Sequence, residues 1–189
     1  MQSTVLMKFP PMKHSSPAQQ VPLLGWEDNA MLQFSQVVQK LLGLPGVRIE
    51  DRLAAVTAAA CKLFDMEYGF ITLVRKKTID VIVATQPDMM RDPIRKDDLE
   101  TALGQCVISE KMPLLLADTR RSAQRGLTDL TGRCPSRFLG VPLLFDGTVY
   151  GTMELSGAAQ ARPFEPIDLA AAYFLSAIIA TPLALLGNY

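Results

Sequence analysis

Four kinds of side chain in this sequence could carry chemistry: cysteine, histidine, a carboxylate inside an apolar stretch, and a run of arginines. Cys61, Cys106 and Cys134 are odd in number and none is spaced CxxC. That argues against a disulfide framework and for a reducing, cytoplasmic setting. A thiol nucleophile needs a cationic or helix-N-terminal environment to lower its pKa. Cys106 instead has Glu110 nearby in sequence, so small buried thiols are the simpler reading. The only histidine, His14, lies in a Pro/Ser-rich leader. Ser-His-Asp triads, His-ligated zinc and His-ligated haem all need an imidazole in a folded site, so these classes fall away. No metal or cofactor is expected.

The carboxylate is Glu154, set between Met153 and Leu155 in "TVYGTMELSG". A strand alternates its side chains between two faces. Tyr150, Thr152, Glu154 and Ser156 then share one face, suited to a polar site. Val149, Gly151, Met153 and Leu155 share the other, suited to a core. The arginines are Arg120, Arg121, Arg125, Arg133 and Arg137. Such a cluster near a pocket mouth holds anions through its planar fork. It equally suits a solvated loop. Arg137, beside a strand, is the expected inward-facing member.

The elements that must position these groups follow from periodicity. Residues 1–25 carry Pro10, Pro11, Pro17 and Pro22 and read as a flexible extension. Residues 26–46 read as a helix and linker, with Asp28 or Asn29 as the cap and Met31, Phe34, Val38 and Leu41 as its apolar stripe. A second helix places Ile49, Leu53, Val56, Ala60 and Leu63 on one face. The period then changes. Segments 67–77 and 78–87 read as a strand hairpin, 102–111 as a short helix or turn, and 113–118 as a strand. Segments 88–100 and 119–136 read as polar loops. A hairpin turning at Asp146-Gly147 follows, then a final helix from about Ile167 to Leu186. The order predicts an α+β domain with an antiparallel sheet of about five or six strands.

Lys+Arg and Asp+Glu balance at 19 each, which argues neither for nucleic acid nor for an anionic membrane. The final helix has no charge from Leu169 to Gly187. A membrane span is one reading of such length. Its alanines, Pro182 and lack of a basic flank favour burial on two sides instead. One side would meet the sheet. The other would meet the N-terminal helices or a second copy, so a homodimer through the terminal helices is expected.

Three segments together resemble the GAF domain family, the small-molecule sensor module of many bacterial signalling proteins. "RFLGVPLLFDGTVYGTMEL" resembles its paired strands, "RPFEPIDLAAAYFLSAIIA" its closing helix, and "ALGQCVISEKMPLLLADTR" its helix-then-strand unit. The likeness spans about residues 48–187, within a GAF-like unit of 47–189. It implies terminal helices on one sheet face and a ligand pocket on the other, roofed by the short helix and the long loop. The resemblance adds Phe138 to the face of Tyr150, Thr152, Glu154 and Ser156 and sets Cys106 in the roof; with Arg137 of the arginine cluster these are the expected ligand-binding residues. The expected function is non-enzymatic sensing of a small polar ligand, signalled to a separate partner protein. Cys106 and Cys134 also fall where the family's methionine sulfoxide reductase branch carries cysteines, so a thiol enzyme is one alternative. A ligand-free dimerisation scaffold is the other.

Overall fold

The computed structural model describes residues 30–75, 79–89, 102–158 and 162–187. The expected leader, His14 and the cap at Asp28 or Asn29 lie outside them, as does most of the loop 88–100. Helix α1 (Ala30–Leu42) buries Phe34 and Val38, the centre of the expected stripe. It packs on α2 (Ile49–Phe64), whose Leu53, Val56 and Ala60 are fully buried. Asp65 ends α2 in the left-handed region and returns its amide to the Cys61 carbonyl. That closure turns the chain into the sheet.

Strands β1 (Tyr68–Val74) and β2 (Ile79–Ala84) form the first hairpin. Helix α3 (Leu103–Glu110) and β3 (Leu114–Leu116) follow. Then come β4 (Arg137–Phe145), β5 (Thr148–Gly157) and α4 (Pro166–Gly187). The five strands run in the order β2-β1-β5-β4-β3, with every neighbouring pair antiparallel. This is the α+β architecture expected from the sequence.

Alternation then sorts the side chains. Ile71, Leu73, Leu139, Val141, Leu143, Met153 and Leu155 face α2 and α4 in one apolar core. Helix α4 contributes Ala171, Leu175, Ile179 and Leu183 to it. By length and composition α4 could cross a membrane, but 56% of its most apolar stretch is buried within this fold. Its Ser176 hydroxyl donates to the Pro142 carbonyl, tying the helix to β4. The opposite sheet face carries α3, where Leu103 and Val107 pack on Phe138.

Candidate functional site: a buried polar row beneath α3

The face under α3 is polar along β5 and the facing part of β1. Thr152, Glu154 and Ser156 are all buried, as alternation requires of one face. Register sets Tyr68 opposite Ser156 and Phe70 opposite Glu154 on β1. On β4, Phe138 opposes Ser156 and Gly140 opposes Glu154. Across the sheet, the Thr72 and Thr152 hydroxyls lie 2.8 Å apart. The Thr152 hydroxyl donates onward to Glu154 Oε1 at 2.7 Å. A relay of hydroxyls therefore ends on the carboxylate.

A second carboxylate arrives from the loop before β4. Tyr68 donates its phenol to Asp129 Oδ2 at 2.6 Å. Asp129 Oδ1 accepts from the Thr131 amide and hydroxyl, at 2.9 and 2.6 Å. The Thr128 carbonyl meanwhile accepts the Leu103 amide, which anchors the start of α3 to this loop. Sequence reasoning missed Tyr68, Thr72, Asp129 and Thr131. The only local signal was the Asp-x-Thr turn at 129–131, because Tyr68 and Asp129 meet across a long stretch of chain.

The roof sits directly on the carboxylate. A Cβ added at Gly104 would collide with Glu154, so the absence of a side chain there lets α3 close down. Burial pushes the Glu154 carboxyl up to about 7, with a further contribution from Asp129, against the opposing Thr152 hydrogen bond. Burial and Asp129 hold the Tyr68 phenol at about 12. Glu154 Oε2 and the Ser156 hydroxyl are buried without a hydrogen-bond partner. Such groups cost about 1–3 kcal/mol each when left unmet.

Two expected site residues lie elsewhere. Tyr150 falls at a register shift, where Leu143 pairs with Gly151 and Leu144 with Val149. This β-bulge breaks the two-residue period. Tyr150 instead packs edge-on against Phe145 and against the apolar core. Arg137 is buried, but on the core side, as its alternation with Leu139 and Val141 requires. Its guanidinium stacks 3.7 Å from the Phe164 ring and donates Nη1 to the Arg162 carbonyl. Nε and Nη2 have no partner. Beside it, Arg162 grips the buried Asp168 through two bonds of 2.6 and 2.7 Å. Arg120, Arg121, Arg125 and Arg133 are exposed, and Arg120 and Arg121 pair with Asp118.

The cysteines stay apart in environment. Cys106 is half-buried on α3, and burial with the Glu110 charge raises its pKa. Cys134 is exposed in the loop, its thiol 3.6 Å from the Gly126 carbonyl. Cys61 is buried in the core and pushed up to about 11. All three are free. An open cleft of about 370 Å³ lies away from the row, where Arg48, Asp51 and Ala54 of the α2 end face Val81 and Val83 of β2.

The structure thus sets a polar sheet face beneath a short helix, with α2 and α4 packed on the other face. The GAF domain family model matches residues 47–183, and the chain belongs to that family. A search of curated protein sequences finds no match. Among solved structures, the GAF domain of an Acinetobacter phosphoenolpyruvate-protein phosphotransferase is 15% identical. It covers 84% of this chain and 95% of that one, with a TM-score of 0.68. The corresponding GAF domain from Coxiella burnetii is 18% identical, covering 82% and 92%, with a TM-score of 0.65. The free methionine-R-sulfoxide reductase of Neisseria meningitidis, solved with its substrate, is 13% identical. It covers 90% and 94%, with a TM-score of 0.61. At these identities the likeness carries the fold.

Proposed function

We propose that this GAF domain is a non-enzymatic regulatory module that binds a small polar ligand at the row under α3. Its bound state is passed to a separate signalling protein. One observation carries the reading: Glu154 Oε2 is a buried carboxylate oxygen with no hydrogen-bond partner. Native proteins rarely leave such atoms unmet without a ligand, a water or a function to account for them. Phe70 and Phe138 flank these polar groups from β1 and β4, the mixture of apolar and few polar side chains that small-molecule sites use.

The domain acts as a homodimer joined through its terminal helices, in the cytoplasm. In support, α4 shows an uncharged outer stripe of Ala170, Tyr173, Ala177 and Thr181, and Leu32 and Val37 stand exposed on α1. The thiol-enzyme reading has the site against it. The raised pKa of Cys106 disfavours a thiolate, and Phe138 leaves an apolar wall beside Glu154 and Ser156.

A thermal-shift screen of nucleotides, amino acids, amines and small anions tests the binding reading, because a ligand of the folded state raises its stability. A ligand that stabilises wild type but not Glu154→Gln supports it; a screen with no hit removes it. Turnover of free methionine sulfoxide that is lost in Cys106→Ser or Cys134→Ser would replace it with the enzyme. Sedimentation of a monomer at tens of micromolar, as an order of magnitude, would remove the dimer.

A further inference from the structure

The chemistry of the ligand can be narrowed from the direction of the hydrogen bonds. Thr72 faces the Thr152 hydroxyl, which donates to Glu154 Oε1. Tyr68 gives its only proton to Asp129, and so does the Thr131 hydroxyl. The Thr152, Tyr68 and Thr131 protons are therefore spent on the row's own carboxylates, and Ser156 alone keeps a hydroxyl proton that goes to neither. What is left for a ligand is rich in acceptors: Glu154 Oε2, the lone pairs of Ser156 and the phenol oxygen of Tyr68.

The charge has the same sign. Glu154 and Asp129 are both buried on this side of the sheet, close enough that Asp129 acts on Glu154. Among the described residues Arg137 is the only buried basic side chain, and it lies on the opposite face. An oxyanion would meet two carboxylates and no cation. A protonated amine meets a complementary field and offers up to three N–H donors with no acceptor.

We infer that the group recognised by this row is the ammonium centre of a compact primary amine, donating to Glu154 Oε2 and Ser156 Oγ. The inference rests on the proposed binding function and names its ligand class. The amine favours the ionised form of Glu154, so binding strengthens as pH rises through neutrality. The other titratable groups of the row are Tyr68 from β1 and Asp129 from the loop. Tyr68 stays neutral throughout, with its phenol near 12. From β4 come Phe138 and Gly140, and from α3 Gly104, with the Cys106 thiol half-buried on the same helix.

The test uses the full chain with three probes at matched ionic strength: methylammonium chloride, sodium acetate and N-methylacetamide. Methylammonium is expected to raise Tm at pH 8 and to bind roughly tenfold tighter there than at pH 6. The effect should vanish in Glu154→Gln. In wild type, calorimetry in two buffers of different ionisation enthalpy should detect proton release on binding, which does not depend on the variant's folding. Stabilisation by acetate or N-methylacetamide instead of methylammonium overturns the amine assignment and leaves the binding function standing. Methylammonium binding that persists in Glu154→Gln overturns the assignment to this row. No response to these probes or to the wider screen removes the binding function, and the amine with it.

Discussion

The two faces of the sheet bury charge in opposite ways. On the core side the buried carboxylate has its cation: Arg162 holds Asp168 in a two-bond fork, while Arg137, beside Arg162, lies flat on Phe164. Under α3, like charges share one row: Glu154 and Asp129, screened only by hydroxyls. The first arrangement satisfies its carboxylate within the fold and pins the start of α4. The second keeps a carboxylate oxygen unmet and its proton affinity near neutrality. Juxtaposed like charges destabilise a fold, and strongly perturbed groups of this kind mark candidate functional sites.

The sharpest way to break the contrast is Arg162→Ala. Asp168 is fully buried, so losing its fork strands a charge and is expected to cost about 3 kcal/mol in urea melts. A loss below 1 kcal/mol, on the order of a surface pair, would make the core-side pair a surface ornament. Next comes Glu154→Gln. A carboxyl raised to about 7 in the fold, from an ordinary 4.5, is best tolerated while protonated. Its stability contribution is present below pH 4.5 and is lost as pH rises through 7. The glutamine variant should therefore gain on the order of 2 kcal/mol over wild type at pH 8 and almost nothing at pH 4. Equal effects at both pH values would mean that Glu154 is not the strained group.

These expectations show how far the sequence could be read. Thr152, Glu154 and Ser156 were legible because a strand has one dominant period, and that period holds from Gly151 onward. Tyr150 was not, because nothing in "TVYG" announces a bulge that a single extra residue creates between two strands. Arg137 was legible in part. Its charge argued for the polar face, whereas its alternation with Leu139 and Val141 puts it on the core side. Its stack on Phe164 is what makes the burial tolerable. The Tyr68–Asp129 bond joins elements with no local connection, so only the folded chain reveals it. The fold itself was readable because the apolar stripes of α1 and α2 and the β4–β5 hairpin are local patterns.

Smaller effects sharpen the comparison. Gly104→Ala should push α3 off the carboxylate and lower stability by about 1–2 kcal/mol, within the usual cost of overpacking. Combining it with Glu154→Ala should recover part of that loss, and strict additivity in the double-mutant cycle would show that the two do not touch. Arg137→Met should be the mildest. It removes two unpartnered nitrogens together with the guanidinium's stack on Phe164 and its bond to the Arg162 carbonyl, and these opposed effects should hold the change within about 1 kcal/mol in urea melts.

The β4–β5 hairpin bears on how the chain finds this arrangement. Asp146 and Gly147 both have positive φ, at 49° and 71°, and close the two strands with a two-residue loop. That turn matches the right-handed twist of the strands it joins. It brings together nine register pairs, from Phe145–Thr148 outward to Arg137–Gly157, at little cost in chain entropy. Strand β1, α4 and β3 must each be captured from farther along the chain, and every one of them docks onto this ribbon. The hairpin is thus placed to be the template on which the rest of the domain assembles. Gly147→Ala should slow refolding while leaving the unfolding rate nearly unchanged.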